Sequence, residues 1–170
     1  MAKSVKVVTG KVRFSYAHVF QAQEPKGGGT AKYSVSLIIP KSDTETIKKI
    51  NDAIEQAKQE NKDVWGGTIP KGLKGGLRDG DEERDDPAYA NSYFINANSA
   101  QKPGVVDQDL NAILDPAEFY SGCYGRASVS FFAYNSSGSK GVGCGLNNVQ
   151  KLEDGERLGG GTSAAQDFAI

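Results

Sequence analysis

The chain has 170 residues and a mass of 18.1 kDa, the size of one domain with embellishments. Its 38% apolar residues are enough for one core, yet no apolar run is long enough to cross a bilayer, and the start MAKSVKVV lacks the apolar stretch of a signal peptide. Two cysteines and His18 alone exclude a disulfide scaffold and a zinc ribbon, and both thiols are expected to be reduced. The net charge of −1 hides an asymmetry: residues 1–78 carry 14 Lys+Arg against 7 Asp+Glu, and residues 79–170 carry 6 against 14. Such a division suits a polyanion-binding surface with an acidic region elsewhere.

Val5 to Tyr16 reads as a strand, with Val8, Val12, Phe14 and Tyr16 on one face, Lys11 and Arg13 on the other, and a bulge at Gly10. After a glycine loop around residues 27–29, Ala31 to Ile39 alternates cleanly. Tyr33, Val35, Leu37 and Ile39 share a face opposite Lys32, Ser34 and Ser36. The two segments suit a long-looped hairpin. Asp43 to Asn61 is a helix: Ile47, Ile50, Ile54 and Ala57 make one apolar stripe behind a Ser42 or Asp43 cap.

Lys62 to Ala90 has little periodicity and reads as a long ordered loop, with Trp65 a lid on the core. Ser92 to Asn98 is a short strand that Val105 and Val106 extend, and a helical turn is predicted within Asp109 to Glu118. Cys123 to Tyr134 and Lys140 to Val149 form a hairpin about the turn NSSGS. Pairing Asn135 with Lys140 sets Phe131 against Cys144, Val129 against Leu146 and Ala133 against Val142, a consistent apolar face. In that register Cys123 would meet Leu152. The fold predicted is mainly β: a five-stranded antiparallel OB-like barrel with one α-helix and long loops. The helix falls between the second and third strands, where the OB-fold usually has it between the third and fourth. Residues 1–158 are expected to form the domain and residues 159–170 a flexible C-terminal tail.

The other face of the hairpin carries the candidate chemistry. Phe132 lies opposite Gly143 and Tyr134 opposite Gly141, so each ring keeps one side uncovered. A base stacked on such a ring is worth about 1–3 kcal/mol. Tyr124 and Arg126 share this parity. Lys11, Arg13 and Lys32 leave their strands away from the core, and Phe94 and Lys102 are weaker additions. Rings beside a basic groove suit sequence-tolerant binding of a single strand. The acidic run Asp79, Asp81, Glu82, Glu83, Asp85 and Asp86 invites a metal-dependent nuclease built on Asp79, Asp81 and Glu82. A solvated turn is the plainer account, because no second carboxylate motif accompanies the run. GGGTAKYS lacks the ending of a phosphate loop, and His18 has no triad partner. No catalytic residue, metal or cofactor is expected.

The loop Arg78-Asp79-Gly80-Asp81, the stretch from Tyr120 to Gly160 and the ending Asp167-Phe168 resemble a family of bacteriophage single-stranded DNA-binding proteins with an OB-fold. The resemblance implies a non-enzymatic protein that coats single strands during phage DNA replication and recombination, in the cytoplasm of the infected bacterium. Its partners would be single-stranded DNA and phage or host replication proteins, with no membrane, and a homo-oligomer is left open. Asp167 and Phe168 are the candidates for a partner-binding tail. The competing classes are the nuclease and a virion assembly protein.

Overall fold

Among the described residues, eight strands and two α-helices follow one another as β1 (Val5–Val8), β2 (Val12–Gln23), β3 (Lys32–Pro40), α1 (Thr44–Glu60), β4 (Arg78–Asp79), α2 (Gly80–Glu83), β5 (Ser92–Ser99), β6 (Gly104–Val106), β7 (Tyr124–Ser136) and β8 (Ser139–Glu153). The structure is a computed structural model that describes residues 3–24, 29–136 and 139–158. The tail 159–170, with Asp167 and Phe168, lies outside the described residues.

Five of the strands close into a ring. β7 pairs with β2, β2 with β3, β3 with β5, β5 with β8, and β8 returns to β7. The sheet is not wholly antiparallel, as the sequence reading had it: β5 meets β8 in parallel, Asn98 beside Gly145, and β6 runs parallel to β8. The three strands outside the ring are short. β1 pairs with β7, β4 with β5, and β6, expected to extend β5, pairs with β8 instead. The expected helix is present as α1, between the second and third strands of the ring, and α2 adds four residues.

The inward faces follow the alternation in most places. Val12, Phe14, Val35, Leu37, Ile39, Ile95, Val129 and Phe131 are all buried. α1 packs Ile50, Ala53, Ile54 and Ala57 against them, and its Asp43 cap accepts the Thr46 N–H at 3.2 Å. Trp65 is buried and donates its indole N–H to the carbonyl of Tyr134 at 2.9 Å, which ties the expected lid to β7.

Three local readings change. The strand predicted from Val5 to Tyr16 breaks at Gly10, so Val7 rather than Val8 faces the core. Tyr16 sits at φ +47° where the β2–β3 register shifts; it turns outward, 60% exposed, and Val19 takes the inward place. The segment 109–118 holds turns without a helix: Asp107 and Asp115 each accept a backbone N–H two residues on.

Candidate nucleic-acid interface

The outward face of β3, β5, β8 and β7 makes the floor of a groove of about 800 Å³. β5 contributes Asn96 and Asn98 to its lining and β8 contributes Val142, Gly143 and Cys144, whereas Ser36 of β3, paired with Asn96, is buried beneath the Tyr89 hydroxyl. Phe132 rises at one side, opposite Gly143, as the hairpin register predicts; Tyr134 stands opposite Gly141. The ring of Phe132 lies so close over Gly143 that any Cβ there would collide with it. A Cβ at Gly141 would come within 2.8 Å of the Tyr134 hydroxyl. Phe132 is 37% exposed, and the two ring centroids are 6.5 Å apart. Their neighbours Phe131 and Ala133 are buried on the other side of the strand.

Cations stand round this floor. Lys32 begins β3 and is exposed. Lys74 is held by its backbone: its N–H donates to the Lys140 carbonyl at 3.1 Å, and its carbonyl accepts from Val142 at 2.9 Å. Gly75, at φ +104°, lets this loop pass against β8 with no room for a side chain. Arg78 on β4 lies opposite Phe94, its guanidinium 4.9 Å from the ring centroid. Glu83 also lines the groove, and its Oε1 accepts from Arg78 at 2.9 and 2.7 Å. That bond raises the pKa of Arg78 and holds the Glu83 carboxyl below the usual carboxylate range.

The remaining candidates from the sequence fall elsewhere. Tyr124 shares the outward parity of Phe132 but begins β7, about 33 Å of extended strand before Tyr134. Lys11 and Arg13 stack over its ring at 5.3 and 5.2 Å. Their charges are engaged: Lys11 pairs with Glu153, while Arg13 donates to the carbonyls of Gly122 at 3.1 Å and Glu156 at 2.8 Å. Arg126 donates to the Thr9 carbonyl at 3.1 Å. Lys102 sits 5.8 Å from the Phe20 ring. Phe94 is fully buried, with Tyr89 edge-on at 5.2 Å and Arg84 and Arg78 over it, so it offers no face to a base. Of the predicted set, the groove gathers Lys32, Phe132 and Tyr134. Arg78, Asn96 and Asn98 were not among the sequence candidates, although both asparagines follow Phe94 at a spacing of two and so share its outward parity.

Three carboxylates of the acidic run, Asp79, Asp81 and Glu83, are paired with cations of the chain. Lys41 Nζ bonds Asp79 at 3.0 Å and Asp81 at 2.9 Å, which raises its pKa, and Asp81 also accepts the Asn91 N–H at 3.0 Å. Among the described residues no group of three or more His, Cys, Asp or Glu side chains is placed to hold a metal ion. No helix among them is long and apolar enough to cross a membrane. Cys123 and Cys144 are both free and buried; burial pushes the Cys144 thiol up to about 12. The pairing of Cys123 with Leu152 does not occur: Cys123 precedes β7, and two irregularities shift the register so that Tyr124 meets Glu153.

Comparison with known proteins gives a consistent picture. The family described as "Enterobacter phage Enc34, ssDNA-binding protein" matches residues 5–170. A relative described as putative protein p50, from Acyrthosiphon pisum secondary endosymbiont phage 1, is 31% identical over 172 aligned residues, covering 96% of this chain and 92% of that one. The structure of the bacteriophage Enc34 single-stranded DNA-binding protein in complex with ssDNA superposes with a TM-score of 0.76. It is 28% identical, over 92% of this chain and 89% of that chain. Bacteriophage T7 gp2.5, also a single-stranded DNA-binding protein, shares the fold at a TM-score of 0.64 and 16% identity, over 99% and 96% of the two chains.

Proposed function

We propose that this chain, which belongs to the family of the single-stranded DNA-binding protein of Enterobacter phage Enc34, binds single-stranded DNA along the groove floored by β3, β5, β8 and β7. One observation carries the placement: Phe132 and Tyr134 lie over glycines, with Lys32, Lys74 and Arg78 around them. Bases stack on the rings, phosphates meet the cations, and neither contact depends on base identity. Residues 1–158 act as the binding domain and residues 159–170 as a tail. The protein works without catalysis, in the cytoplasm of an infected bacterium, during phage replication and recombination.

Lys11, Arg13, Tyr124 and Arg126 have a holding role in this reading, and Phe94 a packing role. Fluorescence anisotropy with labelled single- and double-stranded oligonucleotides, with and without Mg²⁺, tests the function. Tight, Mg²⁺-independent binding to the single strand, with the strand left intact, is the expected result. Degradation that requires the metal would replace this reading with the nuclease, and no binding to either form would replace it with an assembly role.

A further inference from the structure

Among the described residues that line the groove, Glu83 alone carries a negative charge. Its bond to Arg78 is held at both ends. Arg78 is extended on β4 with its guanidinium laid on Phe94, whose ring also carries Arg84 at 4.6 Å. Glu83 closes α2. The Asp79 cap of that helix accepts the Asp81 N–H at 2.9 Å, and Lys41 clamps Asp79 and Asp81 together. The acidic run is therefore a small scaffold, and what it delivers into the groove is one carboxylate. A carboxylate oxygen that takes two N–H groups of an arginine fork stands where a phosphate oxygen would bind.

Resting on the groove assignment above, we infer that Glu83 is an internal competitor for the phosphate of the bound strand. It occupies Arg78 in the free protein and must yield it on binding, so it lowers affinity and weakens the dependence on salt. Because the bond to Arg78 holds its carboxyl below the usual carboxylate range, the competitor stays charged in ordinary buffers. An acidic residue in a groove meant for a polyanion then has a use: it keeps bound strand exchangeable.

The test uses the full chain, a labelled oligothymidylate and anisotropy across a salt series. Glu83→Gln should bind about two- to fivefold more tightly at low salt, the size an exposed ion pair commands. Its log affinity against log salt should steepen by about 0.7, one phosphate equivalent on a single strand. Glu82→Gln removes the same charge one residue away, outside the groove lining, and should bind as the parent does. The inference is overturned if Glu83→Gln keeps the parental affinity and slope while Phe132→Ala weakens binding. An equal gain in Glu82→Gln also overturns it, by reducing the effect to bulk charge. If Phe132→Ala and Arg78→Gln both bind normally, the groove assignment fails first, and this inference with it.

Discussion

Tyr124 and Phe132 stand on one strand, with the same outward parity and an aromatic ring each, yet the fold treats them in opposite ways. At the Phe132 end, the facing strand supplies Gly143 and Gly145, so no side chain of β8 rises beside the ring. At the Tyr124 end, the chain beyond β8 turns back as a strap over residues 154–158. Its Glu156 carbonyl takes the Arg13 N–H, and the Leu158 N–H donates to the Ser121 carbonyl at 2.9 Å. Gly122, at φ +115°, leaves no space for a Cβ beneath Glu156. Parity alone therefore does not make a binding surface. What lies across the sheet decides whether a ring and its cations meet solvent or hold the chain together.

The largest effect that bears on this comparison lies at the open end. Phe131→Ala removes a buried ring and should cost about 3–5 kcal/mol of stability. Phe132→Ala, one residue on, should leave the melting temperature nearly unchanged and weaken single-strand binding by about 1–3 kcal/mol. Melting curves and oligonucleotide titrations of both variants separate the two phenotypes. If Phe132→Ala melts early and Phe131→Ala does not, the sheet has been read inside out.

That pair of residues also shows how much was legible beforehand. The period of two and the NSSGS turn are enough to place Phe131 against Cys144 and Phe132 against Gly143, because a hairpin register is a local property. The helical stripe of α1 is local in the same sense. What could not be read depends on contacts distant in sequence. Phe94 is covered by Tyr89, which comes from an aperiodic stretch, and no spacing announces that packing. Arg78 and Glu83 are five apart across a strand-to-helix turn, a separation with no helical or strand signature. The strap over Tyr124 follows from the chain returning after β8, and Tyr16 leaves the core because β2 bends there.

A smaller effect is expected at the covered end. Arg13→Ala gives up two charge-assisted bonds to backbone carbonyls and should cost about 1–2 kcal/mol of stability, with single-strand affinity unchanged. It should also loosen the strap. Cys123, buried beside Gly122, would then react faster with a thiol reagent, while Cys144 keeps its parental rate. A variant that keeps its stability and thiol rates but loses affinity would move the binding surface to the Tyr124 end.

The smallest effect is a change of slope, and it addresses the cations at both ends together. Lys32 has no ion-pair partner among the described residues, whereas Lys11 is paired with Glu153. A free lysine beside a bound strand releases a counterion when it meets a phosphate; a paired one has its charge already balanced. With Lys32 and Lys74 facing the strand and Arg78 already balanced by Glu83, log affinity should fall against log salt with a slope of about −1.4, at roughly 0.7 per phosphate. Lys32→Ala should flatten that slope by about 0.7 and weaken binding most at low salt, where screening is least. Lys11→Ala should leave slope and affinity as they are, because its removal takes away a local pair and no contact to the strand. If Lys11→Ala flattens the slope and Lys32→Ala does not, the strand passes over Tyr124, and the strap must open to admit it.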